Sequence, residues 1–211
     1  MNRKKHFSQN LRQYIESQMS LFIFVTVLFV VGVVFGSIIV NTMSPEQKEG
    51  LLGYLGHFFR GLEDESIADP KIALQHSIGN HLKTIGLMWV LGLSIIGLPL
   101  ILILVFLKGL VIGFTVGFLV NQLSWQGLWF AFVSVVPQNL LVVPVLIFAA
   151  VSGIHFSMLL IRSRLIQRRG SIYPQFISYS IQLSLLAFIL ILASFFEAYL
   201  SPVFMRLALP G

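Results

Sequence analysis

The chain has 211 residues, of which 56% are hydrophobic and only 10% are charged, and its formal net charge is +6. Soluble globular domains contain about 25% charged residues, so this composition excludes that class and indicates a polytopic membrane protein. The positive residues cluster at the edges of the apolar segments, where charge sets membrane topology, which argues against a nucleic-acid partner. Cysteine is absent, which excludes disulfides and thiolate sites.

Residues 1–19 are predicted to be a basic cytoplasmic tail that touches anionic lipid, and residues 20–211 to be a single membrane domain. The first span covers residues 20–40, which as a helix is about 31 Å long, enough for one crossing. Gly32 and Gly36 form a small-xxx-small pair in this span, which lets another helix approach closely.

Residues 41–84 form the one sizeable polar segment and are predicted to lie outside. Ser44, Pro45 and Gln47 fit an N-cap, a first helical position and a capping-box partner. Apolar residues then recur at helical spacing, which predicts an amphipathic helix to about Leu62, and Asp69 precedes a second helix. The apolar stripe either lies on the bilayer or bundle, or is a docking face for another protein. The candidate docking residues are Tyr54, Leu55, Phe58 and Phe59.

The second span is predicted over residues 85–107 with a kink at Pro99, and Lys108 with Gly109 is predicted to form a tight turn. A third segment over residues 109–124 repeats glycine every four residues, and its Gly113 and Gly117 give a smooth face for a partner's helix. This segment is short, so it is either a thin span or one limb of a re-entrant hairpin.

The distribution of positive charge favours a membrane span, rather than a re-entrant hairpin, over residues 109–124. An arginine cluster without acids belongs in the cytoplasm with the N-terminal tail; its members are Arg162, Arg164, Arg168 and Arg169. Because the second span already ends inside at Lys108, an even number of crossings must follow. We therefore predict spans over residues 109–124 and 127–153 with an outer turn at residues 124–126, and a fifth span over residues 176–199. The N-terminus is then cytoplasmic and the C-terminus outside.

The fourth span contains the sequence SVVPQNLLVVP, residues 134–144. Pro137 and Pro144 remove backbone donors, and the groups that they free need other partners in hydrocarbon. We predict a bend at Pro137. Gln138 and Asn139 are interpreted as hydrogen-bonding residues that hold neighbouring helices together, or alternatively as the lining of a polar pore or substrate site.

Charged residues are almost absent from the spans, which leaves few candidates for chemistry. Glu197 is predicted to be an interfacial carboxylate paired with a residue such as Lys83 or with water, and an active carboxylate is the alternative. The histidines show no metal-ligand spacing, and no phosphate loop or nucleophile motif is present. The sequence therefore predicts no catalytic residue, no metal and no cofactor.

Six segments of the chain resemble the stage II sporulation protein M family. They are residues 22–36, 44–49, 85–104, 113–122, 132–141 and 195–203. The resemblance implies a mother-cell membrane protein of engulfment that recruits two cell-wall hydrolases, stage II sporulation proteins P and D. Relatives in the wider superfamily often carry Pro-His-Gly-x-x-Glu-x-Pro. Pro137 and Pro144 match its prolines, whereas Gln138, Asn139 and Val142 replace its histidine, glycine and glutamate.

The function predicted from these observations is a non-enzymatic scaffold in an all-α bundle of five transmembrane helices. It would sit on the mother-cell side of the sporulation septum and contact membrane lipid, the two hydrolases and copies of itself. The alternative is a small transporter or channel subunit gated by its proline-broken fourth helix. A lipid-modifying enzyme is a distant third option, because no nucleophile or metal set is apparent.

Overall fold

The structure is a computed structural model that describes residues 18–63, 70–163, 172–201 and 203–204. These residues form five helices: α1 (Met19–Thr42), α2 (Pro45–Glu63), α3 (Pro70–Gly92), α4 (Gly97–Ile161) and α5 (Tyr173–Tyr199). Within the described residues, α1, α4 and α5 are long and apolar enough to cross a membrane. The predicted helical membrane class is thus confirmed, while the number of crossings stays a prediction. The N-terminal tail and Arg164, Arg168 and Arg169 lie outside the described residues.

The start of α2 follows the predicted capping box. The backbone N–H of Ser44 donates to Gln47 Oε1 at 3.0 Å, and the backbone N–H of Gln47 donates to Ser44 Oγ at 3.3 Å. These reciprocal bonds satisfy two donors that a helix start would leave unpaired. Pro45 is the first helical residue, where its missing donor costs nothing.

The long helix α4 reverses direction at Ser124, whose φ of 50° and ψ of −125° are not helical. A β-carbon added to Gly127 would overlap the backbone of Leu119. In a straight helix, residues eight positions apart are separated by about 12 Å. Residues 97–123, the first limb, and residues 125–161, the second limb, therefore run antiparallel. The turn lies where the sequence predicts it.

A second reversal, at residues 93–96, joins α3 to the first limb. Ser77 and His81 of α3 line the same cavity as Lys108 of the first limb. A continuous helix would place His81 and Lys108 about 40 Å apart. The prediction of one helix over residues 85–107 is therefore wrong. Pro99 produces no kink, because it lies in the first turn of α4, where its backbone nitrogen needs no helical acceptor.

The helix α1 packs parallel to the first limb through glycines. A β-carbon on Gly36 would overlap the backbone of Leu110, and one on Gly113 would overlap the backbone of Val33. The backbones therefore touch directly, as small-residue faces allow. Gly109 takes part in this contact from inside α4, so the predicted tight turn at Lys108 and Gly109 is corrected to continuous helix.

The helix α3 runs antiparallel to α5 along most of its length. Ser77 contacts Glu197 near the C-terminal end of α5, whereas the indole of Trp89 donates to Ser180 Oγ at 3.1 Å near its start. Residues 77–89 therefore lie alongside residues 180–197 of a candidate membrane span. The sequence assigns residues 41–84 to an outer segment, whereas the structure packs residues 77–84 inside the bundle beside α5.

The core lies where α3, both limbs of α4, and α5 meet. Its fully buried side chains include Met88, Ile101, Ile154 and Leu183, one from each of these parts. At one end of the bundle, the Ser124 end, Asn121 Nδ2 donates a hydrogen bond of 3.3 Å to Asn41 Oδ1 of α1. The opposite Arg162 end carries the turn at residues 93–96.

The α1 contact gives a stability test in which one substitution has opposite effects at two positions. Gly113→Ala places a methyl group against the Val33 backbone and should lower the free energy of unfolding by about 1–3 kcal/mol. A β-carbon added to Gly79 on α3 would meet nothing within 4 Å. Gly79→Ala should therefore raise the free energy of unfolding by up to about 1 kcal/mol, because alanine favours helix. Thermal unfolding of the purified protein in detergent measures both. Equal effects would contradict the described packing.

Candidate functional site

A cavity of about 300 Å³ lies between α1, α3, both limbs of α4, and α5. Its walls combine apolar side chains with an unusual number of polar ones for a membrane bundle. The polar lining residues are Ser77, Asn80, His81, Lys108, Thr115, Gln138, Asn139 and Glu197. Ionisable groups at membrane depth mark functional sites more often than structural ones, so this cavity is the candidate functional site.

The carboxylate of Glu197 is the centre of a hydrogen-bonded cluster. Ser77 Oγ donates to Glu197 Oε2 at 2.6 Å, and His81 Nε2 lies 3.3 Å from the same oxygen. Ser77 and His81 are four residues apart, so they lie on one face of α3. The sequence suggests a residue such as Lys83, or water, as the partner of Glu197, whereas in the structure its partners are Ser77 and His81. The exposed fraction is 36% for the Glu197 side chain and 12% for His81, so the cluster is partly withdrawn from solvent.

The order of groups in this cluster does not activate a nucleophile. In a Ser–His–acid triad, the histidine lies between the serine and the carboxylate and takes the serine proton. Here Glu197 lies between Ser77 and His81, and the serine hydroxyl donates directly to the carboxylate. The arrangement holds a negative charge at a fixed position in the cavity wall.

The cavity contains a cation, Lys108, as well as the anion Glu197. The lysine lines the same space and acts electrostatically on Glu197. In the part of the chain that the structure describes, the two groups do not form an ion pair. The cavity therefore contains opposite charges that are not ion-paired, and amide and hydroxyl groups line the same space.

The proline-containing segment supplies one wall of the cavity through Gln138 and Asn139. Helical backbone angles continue through Pro137 and Pro144, and the interruption within α4 is at Ser124. The helix is therefore not broken at Pro137, and the predicted bend there stays a prediction. Asn139 Nδ2 donates to the carbonyl of Val135 at 2.8 Å, a bond within its own helix rather than the predicted link to a neighbouring helix.

The residues predicted to bind a partner are not brought together. Tyr54 is 77% exposed, whereas Leu55 of the same helix packs against a small cluster at the hairpin tip that contains Leu119 and Phe130. The face of Gly113 and Gly117 is covered by the protein's own α1. The side chains of Phe58 and Phe59 lie outside the described residues.

Sequence reasoning missed Ser77, His81 and Lys108 as members of one site. The spacing of Ser77 and His81 was a usable signal, because it places two polar groups on one helix face. Their partner Glu197 is 120 residues from Ser77, which no local pattern connects. Among the described residues, no three histidine or acidic side chains are grouped to hold a metal ion.

Comparison with known proteins gives one match. The family model described as stage II sporulation protein M matches residues 25–202, a range that includes every residue lining the cavity. No curated protein and no solved structure matches the chain.

The cluster around Glu197 can be tested by a double-mutant cycle. Glu197→Ala and Ser77→Ala should each lower the free energy of unfolding by about 1–3 kcal/mol, because each leaves a polar group without its partner. The double variant should lose less free energy of unfolding than the two single variants together, because both substitutions remove the same interaction. Thermal unfolding in detergent measures the coupling, and Glu49→Ala on the exposed surface of α2 is the control. Additive losses would show that the bond is absent.

Proposed function

The chain belongs to the stage II sporulation protein M family, and we propose that it is a non-enzymatic membrane scaffold in septal wall remodelling and engulfment. Its partners in this proposal are the peptidoglycan hydrolases stage II sporulation proteins D and P, which it recruits and anchors. Family membership connects the chain with sporulation, and its apolar helices are those of a membrane protein. The scaffold sits on the mother-cell side of the septum.

The exposure of Tyr54 is the observation that carries this proposal. The helix α2 packs one side on the hairpin tip through Leu55 and leaves Tyr54 uncovered on another side. Tyrosine on a helix offers a large contact area at low entropic cost and is enriched at binding hot spots. An uncovered tyrosine on a helix that touches the hairpin tip through Leu55 supports contact with another protein.

Charge supports the orientation that this role requires. Arg162 lies at one end of the bundle, three more arginines follow it in the sequence, and positively charged loops favour the cytoplasm. The opposite Ser124 end, with α2, then faces the space between the septal membranes where wall hydrolases work. The N-terminus is cytoplasmic and the C-terminus outside.

A pull-down from detergent-solubilised membranes tests the surface. Tyr54→Ala should reduce recovery of the two hydrolases at least about fivefold, because loss of a hot-spot aromatic costs about 1 kcal/mol or more. Tyr173→Ala is the matched control, since Tyr173 is 68% exposed at the start of α5, at the Arg162 end. Recovery of the control should equal that of the unchanged protein.

Equal recovery of the hydrolases with Tyr54→Ala and with the unchanged protein would contradict the proposed surface. Equal loss with Tyr173→Ala would mean that the substitution weakens the bundle rather than a partner contact. Thermal stability of both variants separates these outcomes.

The polar cavity favours a second candidate function, a small transporter or channel subunit. Such a protein needs a polar path at membrane depth, and the cavity reaches Gln138 and Asn139. The continuous helix through Pro137 counts against a gate at that position.

This second candidate predicts solute flux in proteoliposomes that contain the protein alone. Asn139→Leu should abolish the flux, because it replaces the polar wall of the cavity by an apolar one. Val136→Leu is the control, since Val136 is exposed on the same limb and does not line the cavity. Absence of flux with the unchanged protein would exclude this candidate for the solutes tested.

A further inference from the structure

Two lysines lie near the middle of the bundle, far from either end. Lys83 is midway along α3 between Ser77 and Trp89, whose contacts on α5 are Glu197 and Ser180. It is therefore level with the middle of a candidate membrane span. Lys108 is about 16 Å from the start of α4 and about 24 Å from Ser124. Both side chains are exposed.

Neither lysine has a direct partner in the part of the chain that the structure describes. Within the described ranges, Lys83 and Lys108 have no hydrogen-bond or ion-pair partner. An ammonium at the centre of a membrane helix costs about 2.5–3.5 kcal/mol on insertion scales, and lysines escape to the interface mainly from positions near helix ends. Two such lysines on one bundle require a counter-charge at the same depth.

The acidic residues of the chain supply at most one negative charge for these two lysines. The sequence has eight acidic residues, and only Glu197 falls within α1, α3, α4 or α5. Its carboxylate lines the same cavity as Lys108, which leaves one positive charge in excess. A second copy of the chain brings the same two lysines with its one carboxylate, so self-association leaves the same excess. The remaining counter-charge must come from a different molecule.

The surface around Lys83 suits a helix. Gly79 precedes it by four residues and Gly86 follows it by three, so all three lie on one side of α3. A β-carbon on either glycine would meet nothing within 4 Å. Small residues beside a polar group allow another helix to approach closely and to hydrogen-bond. Asn80 lies between this surface and the cavity that contains Lys108.

We propose that Lys83 and Lys108 bind carboxylate side chains carried by the transmembrane helix of a partner protein. The helix lies against Gly79 and Gly86 and places its acidic groups at the mouth of the cavity. This inference rests on the proposed scaffold function and specifies the chemistry of the partner's membrane segment. A helix with acidic residues at mid-depth is unstable alone in hydrocarbon, so the scaffold stabilises its insertion as well as its position.

Synthetic transmembrane peptides test the proposal directly. The full-length protein, labelled with a fluorophore, is reconstituted in phosphatidylcholine vesicles with one of two leucine-rich helical peptides that differ only by Glu or Gln at the centre. Energy transfer should show at least tenfold tighter binding of the Glu peptide. The double variant Lys83→Gln/Lys108→Gln should remove this preference, whereas Lys48→Gln on α2 should keep it.

Charge reversal separates loss of binding from loss of folding. The double variant Lys83→Glu/Lys108→Glu should bind a peptide with a central Lys in preference to the Glu peptide, which a merely unfolded protein would not do. Equal binding of the Glu and Gln peptides to the unchanged protein would overturn the proposal. Loss of the preference on addition of anionic phosphatidylglycerol would also overturn it, because lipid rather than a helix would then neutralise the lysines.

The same variants distinguish this inference from the scaffold function on which it rests. If the unchanged protein recovers the hydrolases but does not prefer the Glu peptide, the lysine site is wrong and the scaffold stands. If the Glu peptide is preferred but neither hydrolase is recovered, the scaffold proposal fails while the lysine site remains.

Discussion

The backbone contact between α1 and the first limb of α4 determines the arrangement of the other helices. The glycines of both helices bring their backbones together, so the two helices lie side by side and point in the same direction. Parallel neighbours cannot be joined by a short turn, and the chain must return once between them. The returning helix is α3, which places a segment with two histidines and two lysines beside the candidate membrane spans.

The polar groups of α3 find partners mainly on α5. Ser77 and His81 bond to Glu197, Trp89 bonds to Ser180, and the end of the helix receives the hydroxyl of Tyr179. Buried polar groups are costly without such partners. The helix is therefore polar on two sides: one side is matched within the chain, and the side of Lys83 has no partner among the described residues.

Glycine spacing, the capping box and the turn near Ser124 were predictable, because each depends on residues close together in sequence. The reversal at residues 93–96 was not, since the sequence is apolar from Ile85 to Leu107 and Pro99 resembles a kink rather than a helix start. Polar residues such as Lys83 and His81 keep α3 less apolar than the three candidate membrane spans. The cavity joins residues from α1 to α5, and only the tertiary arrangement brings them together.

The turn between α3 and the first limb is reinforced by donors that are synthesised much later. The hydroxyl of Tyr179 donates to the carbonyl of Met88 at 2.9 Å, and Ser157 donates to the carbonyl of Ser94 at 2.8 Å. Until these later segments emerge from the ribosome, the Ser94 carbonyl has only its local bond of 3.1 Å from the backbone N–H of Gly97. The early hairpin is therefore incomplete during biosynthesis, and insertion of α5 completes it. A chain truncated before Tyr173 would retain most of its apolar helices and still present an unfinished surface to membrane quality control.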